Sequence, residues 1–130
     1  TAGGSGAVTS SDFDYSATGN SNVLTWLQGS SSTATSGNQD FVITGNTNNT
    51  NIRCETIGCI NNWNIDGNTN DIDVTQIGTD DKSITFTLTG DSNNIDIDQT
   101  TAASGVTDTI VLTAVSTSGT INLDQCTSGC

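Results

Sequence analysis

Apolar and polar side chains alternate with a period of two over most of the chain, as in Thr85-Phe86-Thr87-Leu88 and Ile95-Asp96-Ile97-Asp98. A period of two puts alternate residues on opposite faces of an extended strand, so the pattern predicts strands and not helices. In the stretch GDSNNIDIDQ the amides Asn93 and Gln99 share a face with Ile95 and Ile97, while Asp96 and Asp98 point the other way. Amides that face inward beside hydrophobes need a partner supplied by the architecture, because a buried carboxamide without one is costly.

Repetition supplies that partner. The ten residues 90–99 align with 19–28, 45–54, 67–76 and 116–125, and an alternating segment precedes each of them, so repeats begin at residues 11, 37, 59, 82 and 108, spaced 22 to 26 residues apart. Each repeat reads as strand, tight turn and strand, with Gly at the turn. In the second strand the inward columns are Asn22, Asn48, Asn70, Asn93 and Gly119; Leu24, Thr50, Ile72, Ile95 and Ile121; Trp26, Ile52, Val74, Ile97 and Leu123; and Gln28, Cys54, Gln76, Gln99 and Gln125. In the first strand they are Tyr15, Phe41, Trp63, Phe86 and Leu112, accompanied by Ala17, Ile43, Ile65, Leu88 and Ala114. Strands that cannot bury a face alone are stabilised by stacking on copies of themselves. The predicted fold is therefore all-β: a cross-β-like β-solenoid of five strand-turn-strand layers, with a Gly/Ser-rich leader at 1–10 and a single domain at 11–130.

At the ~4.8 Å spacing of neighbouring strands the columns become ladders, and stacked amides donate to one neighbour and accept from the next. Asn22, Asn48, Asn70 and Asn93 then form one amide ladder, and Gln28, Gln76, Gln99 and Gln125 another. A one-residue slip would bury Asp96 and Asp98 in place of Ile95 and Ile97, so the register is strongly specified.

Composition reinforces this picture. With 32% hydrophobics in 130 residues the chain has little core material for a two-layer globule, and few helix formers. Arg53 and Lys82 stand against 13 Asp and Glu55, a net charge of -12, which excludes nucleic acid as a partner. No run of apolar residues is long enough for a transmembrane segment. A first residue of Thr1 in place of Met suggests a cleaved secretory signal.

Four cysteines fall in two close pairs, Cys54/Cys59 and Cys126/Cys130, with no His in the chain and spacings unlike those of zinc knuckles. Disulfides in an oxidising compartment are the expected state. Cys54 lies in the Gln column and Cys59 at the head of the next repeat, so a bond across that turn is the natural pairing, contributing about 2 kcal/mol for so short a loop. Cys126 with Cys130 is the default for the second pair, a bond to a neighbouring subunit the sharper option.

Five copies of about 22 residues patterned on Asn-x-Ile-x-Ile-x-Gln, which the fourth carries in full at a set offset from Gly90, resemble the repeats of the curlins, the secreted subunits of bacterial curli amyloid fibres. The matching positions in the fourth repeat are Ile84, Phe86, Gly90, Asn93, Ile95, Ile97 and Gln99, and the likeness spans 11–125. It departs from the curlin pattern in having cysteines and in placing Ala17, Ile43, Ile65, Leu88 and Ala114 where the first strand of a curlin repeat carries Gln. The resemblance implies a divergent, curlin-like functional amyloid: an exported subunit served by a secretion pore and a nucleator, which polymerises head-to-tail with itself into a cell-surface filament for biofilm matrix or adhesion. The absence of Pro and of an obvious cap agrees with open strand edges at both ends.

The remaining chemistry is thin. Asp71, Asp73, Asp96, Asp98 and Asp124 face outward on second strands, and Asp12, Asp14 and Asp40 on first strands. Stacked like charges repel. A solvated exterior is one reading of them, and calcium bridging through Asp73, Asp96, Asp98 and Asp124 the other. No catalytic group is expected, since paired Asp residues recur with the repeat and there is no His. An ice-binding solenoid would need Thr arrays in every layer, whereas Thr85, Thr87 and Thr89 have only Thr109 and Thr113 near them. A phage fibre or adhesin solenoid is the alternative to the filament. The sequon at Asn48 faces inward and is not expected to carry glycan.

Overall fold

The computed structural model describes residues 11–28, 37–55, 58–79, 81–101 and 106–127. The leader at 1–10 and Cys130 lie outside them. Ten strands follow in chain order: β1 (Ser11–Thr18), β2 (Val23–Gln28), β3 (Gly37–Thr44), β4 (Asn49–Glu55), β5 (Cys59–Asp66), β6 (Asp71–Gly78), β7 (Lys82–Thr89), β8 (Asn93–Thr101), β9 (Thr109–Val115) and β10 (Gly119–Thr127). Odd-numbered strands form one five-stranded sheet and even-numbered strands the other. The two strands of a repeat face each other across the core, and each pairs in parallel with the equivalent strand of the next layer.

The register is that of the sequence columns. Tyr15, Phe41, Trp63, Phe86 and Leu112 are stacked partners in the first sheet. Leu24, Thr50, Ile72, Ile95 and Ile121 are partners in the second, as are Trp26, Ile52, Val74, Ile97 and Leu123. Phe41, Ile43, Ile52, Trp63, Ile65, Ile72, Val74, Phe86, Leu88, Ile95 and Ile97 are buried in one cluster. Rings stack within it, Phe41 on Trp63 at 4.2 Å and Trp63 on Phe86 at 5.7 Å between centroids. Such offset contacts add about 0.5–1.5 kcal/mol each beyond the area they bury.

Four turns share one construction. Gly19, Gly45, Gly67 and Gly90 have φ between +120° and +149°, and two residues later Ser21, Thr47, Thr69 and Ser92 take left-handed φ of 58° to 61°. Gly67 has no room for a side chain, because a Cβ there would lie 2.0 Å from the carbonyl oxygen of Gly45 in the layer below. The fifth turn departs from the expected pattern. Ser116 stands in the Gly column, and Gly119, with φ of +143°, takes the Asn position.

Cys54 and Cys59 are disulfide-bonded across the turn between β4 and β5, their Cα atoms 6.4 Å apart. Cys126 is also disulfide-bonded, to a partner outside the described residues. No helix among the described residues is long and apolar enough to cross a membrane.

Candidate functional site

The Asn ladder forms as the columns require. Asn22 Nδ2 donates to Asn48 Oδ1 at 3.0 Å and Asn48 Nδ2 to Asn70 Oδ1 at 3.0 Å. The same oxygens also take the backbone N–H of the layer below, from Asn22 and Asn48 at 2.9 Å and from Asn70 to Asn93 Oδ1 at 2.7 Å. The ladder changes at its upper end, where Asn93 Nδ2 turns to the Gly67 carbonyl and Asn70 Nδ2 has no partner. The Gln ladder is continuous from Gln76 through Gln99 to Gln125, at 2.8 Å per rung. Below it Cys54 interrupts the column, and Gln28 Oε1 instead accepts the amide of Gln39.

Gln39 belongs to an inward column that was not among those read from the repeats: Phe13, Gln39, Asn61, Ile84 and Ile110. Its two amides interrupt three hydrophobes, which hides the column from a search for like residues. Asn61 is fully buried with neither carboxamide atom bonded, a penalty of about 1–3 kcal/mol.

A second unforeseen cluster occupies the base of layers four and five. Lys82 and Asp108 are both fully buried, with Nζ 4.0 Å from Oδ1. Thr101 bridges them, accepting from Lys82 Nζ at 2.6 Å and donating to Asp108 Oδ2. The Lys82 backbone N–H also donates to Asp108 Oδ1 at 3.2 Å.

On the outer face of the second sheet, asparagines separate many of the acids. Asn49 and Asn94 donate to the two oxygens of Asp71, at 3.1 and 2.8 Å, from the layers below and above. Asn51 donates to Asp73 and Asn122 to Asp96. On the first sheet Asn62 donates to Asp40 at 2.7 Å, while Asp12 and Asp14 lie outward on β1. A carboxylate flanked by amides exchanges like-charge repulsion for hydrogen bonds to a charged acceptor. Two rungs on the second sheet keep acid over acid, Asp73 under Asp96 and Asp98 under Asp124. No group of three His, Cys, Asp or Glu able to hold a metal ion occurs among the described residues.

Two carboxyls are shifted in opposite directions. Partial burial, then repulsion from Asp96, Asp124 and Asp73, pushes Asp98 above the ordinary carboxylate value. The backbone N–H of Thr117, at 2.7 Å, and then its hydroxyl hold Asp91 below that value. A raised folded-state value means that the fold binds this proton more tightly than the unfolded chain does. Asp98 therefore disfavours the fold at neutral pH, and its cost vanishes as pH falls through the raised value towards the unfolded one. Asp91 has the opposite sign, contributing stability above its unfolded value that is lost as pH falls through the lowered one. Asp98→Asn should raise stability at neutral pH by about 0.5 kcal/mol, the scale of a cross-strand pair. Urea titrations at neutral pH and below the carboxylate range check this; a gain equal at both would contradict the electrostatic cause.

The ends of the stack differ from its middle. Ile121 and Leu123 in the fifth layer are 37% and 44% exposed, whereas Ile95 and Ile97 one rung below are at 0%. At the other end Phe13, Tyr15, Leu24 and Trp26 are only partly buried. β1 and β2 at one end, and β9 and β10 at the other, each have a single strand neighbour. Comparison with family models, with curated proteins and with solved structures finds no match for this chain.

Proposed function

We propose that the chain is the structural subunit of a curli-like extracellular filament, built by stacking β9 and β10 of one subunit onto β1 and β2 of the next and serving as biofilm matrix or in surface adhesion. What carries the reading is the match between the half-exposed end rungs. Continuing the columns across the junction sets Leu112 under Tyr15, Ile121 under Leu24, Leu123 under Trp26 and Gln125 under Gln28. Each of these four pairs is apolar on apolar or amide on amide, and Gly119 comes under Asn22. There the backbone N–H of Gly119 meets Asn22 Oδ1, as the N–H of Asn22 meets Asn48 Oδ1 within the subunit.

The outward columns add a second argument. Within the subunit acid lies over acid in Asp14–Asp40, Asp73–Asp96 and Asp98–Asp124. At the junction Asp124 would meet Leu27, and Asp12 and Asp14 would meet Thr109 and Val111, so no like charges coincide. A head-to-tail contact of this kind does not close on itself and extends indefinitely. The disulfides agree with an oxidising exterior. The Thr array of an ice-binding face finds less support, since Thr85, Thr87 and Thr89 lie over Asn62, Asn64 and Asp66.

Leu123→Asp places a charge at the junction at a site already half exposed in the monomer. It should leave the circular dichroism spectrum intact and abolish filaments in electron micrographs, while Thr120→Asp, outward on the same strand, should leave them in place. Filaments of Leu123→Asp as abundant as the parent's would overturn the reading.

A further inference from the structure

The two outer faces of the solenoid carry different chemistry. On β6, β8 and β10 the outward positions include Asp71, Asp73, Asp96, Asp98 and Asp124. Across the core, the outward positions of β5, β7 and β9 hold a single acid, Asp66. The rest of that face is Ile60, Asn62 and Asn64, then Ser83, Thr85, Thr87 and Thr89, then Thr109, Val111, Thr113 and Val115. Its aliphatics are open to solvent, with Ile60 at 48%, Val111 at 49% and Val115 at 69% exposed. A furrow crosses from β3 onto β5 and β7 between the column Asp40–Asn62–Thr85 and the column Val42–Asn64–Thr87, floored by Phe41 and Trp63.

We infer that this neutral Thr/Val/Asn face of β5, β7 and β9 is a lateral contact between filaments, occupied by the same face of a second copy of this chain. The inference rests on the head-to-tail reading. Charge selects the occupant: a chain of net charge -12 approaches another copy most closely where acids are fewest, and on this sheet that is the patch of β5, β7 and β9, since Asp12, Asp14 and Asp40 lie on β1 and β3. Shape agrees, since columns of Thr, Val and Asn repeated at strand spacing interdigitate as dry ridges between sheets about 10 Å apart. The contact is isologous, the same patch on both partners.

Area determines when it forms. Three strands at ~4.8 Å spacing and eight residues at ~3.3 Å rise present roughly 380 Å² per subunit. That is about half of the ~800 Å² per partner in a standard stable interface. Single subunits should therefore stay apart. A filament presents the patch once per subunit along its length, and many weak contacts held in one array bind far more tightly than one. Lateral pairing is accordingly a property of the polymer.

The test uses filaments grown from the full chain at physiological salt, with width and mass per unit length measured by electron microscopy. The parent should give paired filaments with twice the mass per length of a single stack. The double variant Thr85→Glu with Thr87→Glu, both outward and exposed on the central strand of the patch and away from the head-to-tail junction, should fold and polymerise normally but give single filaments, a twofold drop in mass per length. Single filaments from the parent, or pairs that persist in the double variant, would overturn the lateral contact and leave head-to-tail stacking standing. If the parent forms no filaments, both inferences fall.

Discussion

Gly67→Ala is expected to unfold much of the solenoid, lowering stability by about 3 kcal/mol or more. Two penalties combine at this site. The positive φ of Gly67, +149°, is strained for any L side chain, and a Cβ would lie 2.0 Å from the Gly45 oxygen and 2.7 Å from its carbonyl carbon. That neighbour is backbone held in the same turn of the layer below and cannot swing aside as a side-chain tip would. Gly19 allows the two penalties to be separated. Its φ is +120°, but its Cβ direction is open, with Asn22 Nδ2 3.9 Å away as the nearest atom. Gly19→Ala should therefore show backbone strain alone, about 1–3 kcal/mol. Denaturant midpoints of the two variants give the comparison, and a Gly19→Ala chain as unstable as Gly67→Ala would remove the case for layer-to-layer clash.

Asp108→Ala should cost about 3–5 kcal/mol, because it removes a carboxylate paired with the buried ammonium of Lys82. The bridging hydroxyl of Thr101 would lose its acceptor at the same time. The variant that replaces the whole cluster, Lys82→Met with Thr101→Val and Asp108→Leu, should recover most of that loss. Apolar replacement of a complete buried ion pair is commonly neutral or stabilising by about 1–4 kcal/mol. Thermal unfolding of the two variants checks the idea; a benign Asp108→Ala would mean that the pair does not hold the fourth and fifth layers together.

What was legible in the sequence was whatever the repeat itself carries. Gly-anchored alignment put Ile95 beside Ile72 and Phe86 beside Trp63 because alternation and spacing are both preserved at those positions. The Cys54–Cys59 bond was legible for the same reason, both residues lying inward at one end of a layer. The column of Phe13, Gln39, Asn61, Ile84 and Ile110 was not, since two amides break its run of hydrophobes and only the spacing betrays it. Lys82 was unreadable in a different way. A lysine at the head of a strand looks like a solvated end, and its partners are distant in sequence, Thr101 nineteen residues on at the end of the same layer and Asp108 at the base of the next. The amide rungs between the acids were available in the alignment. Asn49, Asn94 and Asn122 occupy the same columns as Asp71 and Asp96, and attention to the acids alone made the face look more repulsive than it is.

A stack of near-identical layers faces a hazard beyond the one-residue slip, namely a whole-rung frame shift, in which a strand passes over its proper neighbour and pairs equally well with the next copy. The aliphatic and amide columns cannot prevent this, because they look the same from every layer. The irregular residues can. The Cys54–Cys59 disulfide joins the second layer to the third, and Lys82 meets Asp108 only if the fifth layer follows directly on the fourth. These side chains act as rung numbers, giving a translationally repetitive sequence a single order of assembly.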